Sequence, residues 1–117
     1  MYDLIIIGAG TAGISAYKEA IKYTQNLLII NHGPWDTTCA RVGCMPSKVL
    51  ISSANRIHDI HHAQEVALTV DAKIDTSQIM SHVHQLRDRF PAATQKAVDR
   101  WDASHKLSGF ATVVDAH

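Results

Sequence analysis

Two short aliphatic runs near the start of the chain are the clearest pattern in the sequence. Residues 4–7 and 27–30 each place four consecutive Leu or Ile side chains in a row. Such runs are typical of strands buried on both faces of a parallel sheet, so strands are predicted over residues 2–7 and 27–30. The segment between them, residues 12–23, has helical spacing. A strand–helix–strand unit implies a right-handed crossover and parallel pairing.

The middle of the chain favours long helices. Turn-forming Gly and Pro residues predict a loop over residues 31–43. A helix is predicted from about Pro46 to about His61, since proline is tolerated in the first turn of a helix. A capping-box pattern at residues 75–78 starts another helix, which Pro91 is expected to kink or restart. The apolar face of that helix is predicted to comprise Ile79, Val83, Leu86 and Phe90.

Two more strands complete the expected fold. Residues 62–74 lack a clear period, and a short strand is predicted around residues 66–70. Gly109 precedes a last predicted strand at residues 111–114. The fold class is therefore expected to be α/β, with a parallel sheet and long helices.

Length and charge exclude several classes of protein. The chain has 117 residues, which suits one domain. Its 11 basic and 11 acidic side chains argue against nucleic acid or an anionic membrane as the main partner. No apolar run approaches the roughly 20 residues needed to span a bilayer, and the first run follows Asp3 instead of a basic signal-peptide region. We therefore expect a soluble cytoplasmic protein.

A glycine-rich turn joins the first predicted strand to the first helix. Gly8, Gly10 and Gly13 form a GxGxxG pattern, and its position between a buried strand and a helix is the context of a dinucleotide site. The first glycine permits the tight turn, the second lets a pyrophosphate approach the backbone, and the third lets the helix pack closely on the strand. The alternative is an ordinary turn without a ligand.

Asn31 stands at the end of the second predicted strand. Dinucleotide sites usually carry Asp or Glu there, because a carboxylate accepts hydrogen bonds from a ribose hydroxyl. An Asn side chain can also bond a hydroxyl, but without the contribution of a charge. Asn31 is therefore a candidate ribose contact.

Cys39 and Cys44 are the most informative residues of the chain. They are five positions apart, so a regular helix would separate them by about 7.5 Å along its axis, which is too far for a disulfide. The segment between them must curl if they pair, and Gly43 permits this. A helix N-terminus stabilises a thiolate. In a cytoplasmic protein two such thiols are more often catalytic than structural; two buried free cysteines and half of a zinc site are the alternatives.

These motifs together resemble a known enzyme family. A glycine fingerprint followed some thirty residues later by C-x4-C-x-P-S-K is similar to the pyridine nucleotide–disulfide oxidoreductases, and Pro46-Ser47-Lys48 resembles the dihydrolipoamide dehydrogenases and mercuric reductases among them. The resemblance implies a partial Rossmann-like FAD-binding domain over residues 1–117. The chain differs from the family's usual pattern at Asn31, where Glu is typical, and at Arg41, where Asn is typical.

The resemblance also assigns roles to individual residues. Cys39 would be the thiol that meets the substrate, and Cys44 the charge-transfer thiol against the flavin. Lys48 would lie near the flavin, and Ala111 near the adenine. The residues implied to contact FAD are Gly8, Gly10, Thr11, Ala12, Gly13, Asn31, Thr38, Lys48 and Ala111.

For the whole protein, the resemblance implies a homodimeric flavoenzyme of cell redox homeostasis. A dithiol of the lipoyl type would reduce a Cys39–Cys44 disulfide, and the electrons would pass to FAD and then to NAD(P). The NAD(P)-binding and dimerisation domains are absent from these 117 residues, so the chain is expected to be inactive alone. A mercuric or other disulfide reductase, and a non-catalytic dinucleotide-binding or redox-sensing module, are the alternatives.

Three of the eight histidines lie close together in the sequence. His58, His61 and His62 have helical i, i+3, i+4 spacing, which could place them on one face as a metal or proton site. A solvated polar helix face is the favoured interpretation, and no metal site is predicted.

Overall fold

The computed structural model describes residues 1–115 and divides into two compact units. Unit one comprises Met1–Thr38 with the described part of Pro91–His117, and unit two comprises Cys39–Phe90. Two short 3-10 turns occur at Ala63–Val66 and Ala103–His105. The helices and strands, in chain order, are β1 (Leu4–Ile7), α1 (Thr11–Ala20), β2 (Leu27–Asn31), α2 (Thr38–Arg41), α3 (Cys44–His61), α4 (Thr76–Asp99) and β3 (Lys106–Ser108).

Unit one is built on a three-stranded parallel sheet in the order β1-β2-β3. Ile6 pairs with Ile29, and Ile29 with Lys106, so β2 is the central strand. Leu27, Leu28 and Ile29 are all buried, as expected for a strand covered on both faces. The α/β class and the parallel sheet are thus confirmed. The prediction that β1 is buried on both faces was wrong, because within β1 only Ile6 is buried.

One helix face covers this sheet. Ile14 and Tyr17 of α1 are buried against the strands, and they share a core with Ile29 and Val98. Val98 comes from the last two turns of α4, so two helices contribute to the core of unit one.

A buried histidine ties the last 3-10 turn to α1. His105 is only 6% exposed, and its Nε2 lies 2.9 Å from the carbonyl oxygen of Gln25. A carbonyl only accepts, so Nε2 donates, and Nδ1 is left to accept the hydroxyl of Tyr17 at 2.9 Å. Burial, and then the charge of Asp102, raise the pKa of the Tyr17 phenol, which keeps that donor protonated. Trp101 stacks on the ring of Tyr17, with ring centroids 3.8 Å apart.

Unit two consists mainly of α3 and the first part of α4. Its buried side chains are Ala40, Ala63 and Val83. The predicted apolar face of α4 is partly confirmed, since Val83 is buried and Ile79 and Leu86 are half-buried, whereas Phe90 is exposed. No helix within residues 1–115 has the length and apolar character needed to cross a bilayer.

Two predicted strands are absent. Residues 66–70 do not form a strand, because the amide of Leu68 donates to Ala63 and Ala67 adopts a left-handed conformation, which closes a local turn. Residues 111–114 are not a strand either. The amide of Gly109 donates to the carbonyl of Asn31, the last residue of β2, so the chain beyond it has passed the end of its pairing partner. The pairing strand is Lys106–Ser108 instead.

Pro91 does not restart the helix that contains it. Helix α4 continues from Thr76 to Asp99 with Pro91 inside it. The boundary between the two compact units falls immediately before this proline. The sequence signal at Pro91 therefore marks the change of unit and not a new helix.

The Tyr17–His105 bond predicts a measurable loss of stability. Tyr17→Phe leaves the buried Nδ1 of His105 without its donor, which should lower the free energy of unfolding by about 1–3 kcal/mol. Tyr23→Phe is the matched control, since Tyr23 is 80% exposed and its hydroxyl donates to the exposed Glu19. Chemical denaturation of both variants measures the difference. Equal losses in the two variants would contradict a stabilising role for the buried bond.

Candidate functional site

The glycine turn between β1 and α1 has the geometry that its sequence predicts. Gly8 has a φ of +97°, which favours glycine, and its amide donates to the carbonyl of Ile30 at 2.7 Å. A Cβ on Gly13 would stand only 1.8 Å from the carbonyl oxygen of Gly8. The first and third glycines therefore allow the tight turn and the close packing of α1 on β1.

The middle glycine leaves an open approach to the start of α1. Gly10 is the N-cap, and a Cβ there would meet no atom within 4 Å. No side chain caps the helix, and its first turn holds no acidic residue. Thr11 and Ala12, the first two helical residues, are exposed. Free N–H groups and the positive end of the helix dipole give this position the properties of an anion site.

Asn31 stands where the sequence predicts, at the carboxyl end of β2. Its Oδ1 accepts the amide of Ala9 at 2.9 Å, and its Nδ2 donates to the carbonyls of Gly33 and Pro34 at 3.2 and 3.1 Å. One amide side chain thus holds both the glycine turn and the turn that follows β2. Sequence reasoning considered only a ribose contact for Asn31 and missed this anchoring role, although the Asn-x-Gly-Pro order was a signal for a turn.

Ala111 lies just past the carboxyl edge of the same sheet. It follows Gly109, whose amide bonds Asn31 at 2.9 Å, and its side chain is exposed. Beside it, the ring of Phe110 stacks on His32 with centroids 3.7 Å apart. Sequence reasoning missed this pair, because the two residues are distant in the chain. Unit one thus brings Asn31 to the glycine turn and Gly109, two residues before Ala111, to Asn31.

The cysteine pair lies at a break between two helices. Cys39 belongs to α2 and Cys44 is the first residue of α3, so the loop predicted over residues 31–43 contains a short helix, and α3 begins two residues before Pro46. Gly43 separates the helices with φ −117° and ψ −109°, which is not helical. This is the curl that pairing of the cysteines requires. Both are free thiols.

The two thiols interact with each other. The pKa of Cys39 is raised above its ordinary value, chiefly by the hydrogen bond with the Cys44 side chain, then by burial and by the charge of Cys44. The backbone amide of Cys44 and the positive charge of Lys48 act in the opposite direction. Cys44 and Lys48 therefore both act on the thiol of Cys39, and all three residues belong to unit two. Thr38 is the exposed first residue of α2.

The histidines do not form a three-residue cluster. The rings of His58 and His62 are 4.1 Å apart, and Nδ1 of His62 bonds the carbonyl of His58. Within residues 1–115, no three His, Cys, Asp or Glu side chains come together in a way that could hold a metal ion. Half of a zinc site at Cys39 and Cys44 therefore finds no further ligands in this range.

Comparison with known proteins decides the family. The profile described as pyridine nucleotide-disulphide oxidoreductase matches residues 2–115. The chain belongs to this family. It is 34% identical to the dihydrolipoyl dehydrogenase of Mycoplasma genitalium over 116 residues, which is 97% of this chain and 25% of that relative. It is 36% identical to the dihydrolipoyl dehydrogenase of Bacillus subtilis over 86 residues, which is 71% of this chain and 19% of the relative.

A relative of another activity is also similar. The mercuric reductase of Lysinibacillus sphaericus is 31% identical over 118 residues, covering 98% of this chain and 21% of that protein. The chain thus spans a quarter or less of the length of these relatives. Membership of a pyridine nucleotide-disulphide oxidoreductase family agrees with two interacting thiols, since a redox disulfide needs both sulfurs within reach of each other.

The glycine turn predicts that two alanine substitutions differ strongly in their effect on stability. Gly13→Ala should destabilise the chain by several kcal/mol, on the order of a strained core overpacking, because its Cβ would overlap the Gly8 carbonyl. Gly10→Ala should change stability by well under about 1 kcal/mol, since its φ of −78° suits alanine and its Cβ meets open space. Thermal unfolding followed by circular dichroism compares them. A similar loss in both variants would show that the close approach is not the constraint.

The cysteine pair predicts a change in the titration of Cys39. Cys44→Ala removes the largest cause of the raised pKa, so the Cys39 thiolate should form at lower pH than in the parent chain. The rate of iodoacetamide alkylation at Cys39, followed by mass spectrometry against pH, measures this. Lys48→Gln is the control that should shift the titration in the opposite direction, because loss of that positive charge should raise the pKa of Cys39 further. Shifts in the same direction for both variants would be inconsistent with these causes.

Proposed function

We propose that this chain forms the FAD-binding and redox-disulfide segment of an oxidoreductase that oxidises dihydrolipoyl-type dithiols. The observation that carries the proposal is the interacting Cys39–Cys44 pair at the break between α2 and α3. Membership of the family and the dihydrolipoyl dehydrogenases among its relatives support the substrate class.

The glycine turn fits the pyrophosphate of FAD. Gly10 leaves open space where a Cβ would project, and the uncapped start of α1 offers N–H donors without a competing carboxylate. Thr11 and Ala12 would add their amides there, and Asn31, Thr38, Lys48 and Ala111 are the remaining proposed contacts. When bound, FAD supplies a two-electron acceptor for the cysteine pair.

The cysteines exchange with the substrate in a fixed order. A substrate thiolate attacks Sγ of Cys39 in the Cys39–Cys44 disulfide, and Cys44 leaves as a thiolate at the N-terminus of α3. The second substrate thiol then attacks the substrate sulfur that is bonded to Cys39 in the mixed disulfide. This closes the substrate disulfide and releases Cys39 as a thiolate. The substrate loses two electrons and the protein pair gains them. The position of Cys44 at the N-terminus of α3 makes it the better placed leaving group, which favours attack at Cys39.

The remaining functions belong to other parts of the proposed enzyme. We assign the pyridine nucleotide, NAD or NADP, and the homodimer contacts to regions that the relatives have beyond the matched quarter of their length. The cytoplasm is the proposed location.

A mercuric reductase is the second candidate. The Lysinibacillus sphaericus relative, matched over nearly the whole chain, favours it, and the same thiol pair could bind a soft metal ion. A non-catalytic redox-sensing module would have the cysteines without coupling to a flavin.

A chimera tests the proposal. We expect the dihydrolipoyl dehydrogenase of Mycoplasma genitalium, with its matched segment replaced by this chain, to bind FAD and to oxidise dihydrolipoamide with NAD⁺. Cys44→Ser in the chimera should lower turnover by on the order of a thousandfold and leave FAD bound, because it replaces one sulfur and keeps the proposed FAD contacts at the glycine turn. Flavin absorbance measures binding, and NADH formation measures turnover.

A glycine variant, the Cys44→Ser variant and a second substrate distinguish the possible outcomes of the chimera experiment. Gly10→Ala should weaken FAD binding in the chimera while leaving its fold intact. Undiminished turnover in the Cys44→Ser chimera would refute the thiol mechanism. Reduction of Hg²⁺ together with failure to oxidise dihydrolipoamide would favour the second candidate.

A further inference from the structure

A cationic groove lies between α3 and α4 within unit two. It encloses about 210 Å³. Lys48 and Arg56 line it together with His82 and the hydroxyls of Ser52 and Ser53, and no carboxylate is among its lining residues. Val49 and Leu86 add two apolar side chains. We call this the α3–α4 groove.

The groove begins close to the cysteine pair. Cys44, Lys48, Ser52 and Arg56 follow one another at four-residue steps along α3, and residues at this spacing are neighbours on a helix surface. The positive charge of Lys48 also acts on the thiol of Cys39. Lys48 therefore belongs both to the surroundings of the reactive sulfurs and to the groove.

The far end of the groove carries a second cation. The guanidinium of Arg56 reaches back to Ser52, with Nη1 and Oγ 3.5 Å apart. Helical side chains lean toward the N-terminus, which brings this charge to the level of Ser52, about 12 Å along the axis from Cys44. The groove thus presents a cation at a distance that a flexible aliphatic chain can span from the cysteine pair.

The two cations are not neutralised within the described chain. Neither Lys48 nor Arg56 forms an ion pair with any of residues 1–115. The hydroxyl of Ser53 donates to the carbonyl of Val49, so Ser52 is the hydroxyl that accompanies Arg56. An oxyanion beside Arg56 and Ser52 would receive charge-assisted hydrogen bonds.

We propose that the α3–α4 groove binds the terminal carboxylate of an anionic dithiol while its two thiols exchange at Cys39. The aliphatic chain of the substrate lies along Val49 and Leu86, and its carboxylate meets Arg56 and Ser52. The exchange is the one described above, in which two substrate thiols become a disulfide and the Cys39–Cys44 disulfide becomes two thiols. This inference rests on the proposed function and adds to it a preference for a free carboxylate over a neutral amide.

A pair of dithiols that differ only in charge provides the test. The complete 117-residue chain is oxidised with diamide and then mixed with dihydrolipoate or with dihydrolipoamide. Reduction of the Cys39–Cys44 disulfide is followed by rapid alkylation and mass spectrometry. We expect the carboxylate to react faster by roughly two- to fivefold, the range of an exposed ion pair. This ratio should fall toward one at high ionic strength.

Three variants locate the charge. Arg56→Gln should bring the ratio of the two rates close to one, Arg56→Lys should retain most of it, and Arg100→Gln, an exposed arginine outside the groove, should keep the parent ratio. Equal rates for the two dithiols in the parent chain, or an unchanged ratio in Arg56→Gln, would overturn the groove assignment and leave the proposed function standing. Failure of both dithiols to reduce the disulfide would overturn both.

Discussion

The contact between Gly13 and the carbonyl of Gly8 sets the geometry of unit one. A Cβ at Gly13 would stand 1.8 Å from that oxygen, so α1 can lie this close to the end of β1 only because residue 13 has no side chain. The approach directs the start of α1 to the carboxyl edge of the sheet, where ligands bind in open α/β folds. Tyr17, one turn further along α1, is then buried against His105 and Trp101. The candidate anion site and the core therefore depend on the same close packing.

Unit two uses a different device to place its reactive groups. The cysteines are too far apart in a continuous helix to interact, and the break at Gly43 brings them together. Because α3 starts at Cys44, the helix N-terminus and the stripe that contains Lys48 and Arg56 both start from this sulfur. One short interruption of helix thus supplies the thiol pair, a helix N-terminus at the second sulfur, and a row of cationic side chains that leads away from it.

Local patterns predicted well those parts that depend on local physics. The aliphatic runs identified β1 and β2, and the glycine spacing identified the turn between β1 and α1. They failed where pairing decides the structure. Lys106–Ser108 is a strand because it lies beside β2, although its side chains are not strand-like, and residues 111–114 are strand-like but lie beyond the end of β2. The proline signal at Pro91 likewise did not interrupt α4.

The sequence by itself determined the family, the glycine turn and the two cysteines that are the candidate redox pair. All three depend on residue types at short fixed spacings, where steric and chemical requirements act locally. Only the tertiary structure decided that Asn31 anchors two turns, that Tyr17 bonds His105 across 88 positions of sequence, and that Lys48 and Arg56 share a groove with His82. The bonds of Asn31 to Ala9 and of Tyr17 to His105, and the approach of His82 to Lys48 and Arg56, join residues that are remote in the chain. No local preference encodes which distant side chain will become the neighbour.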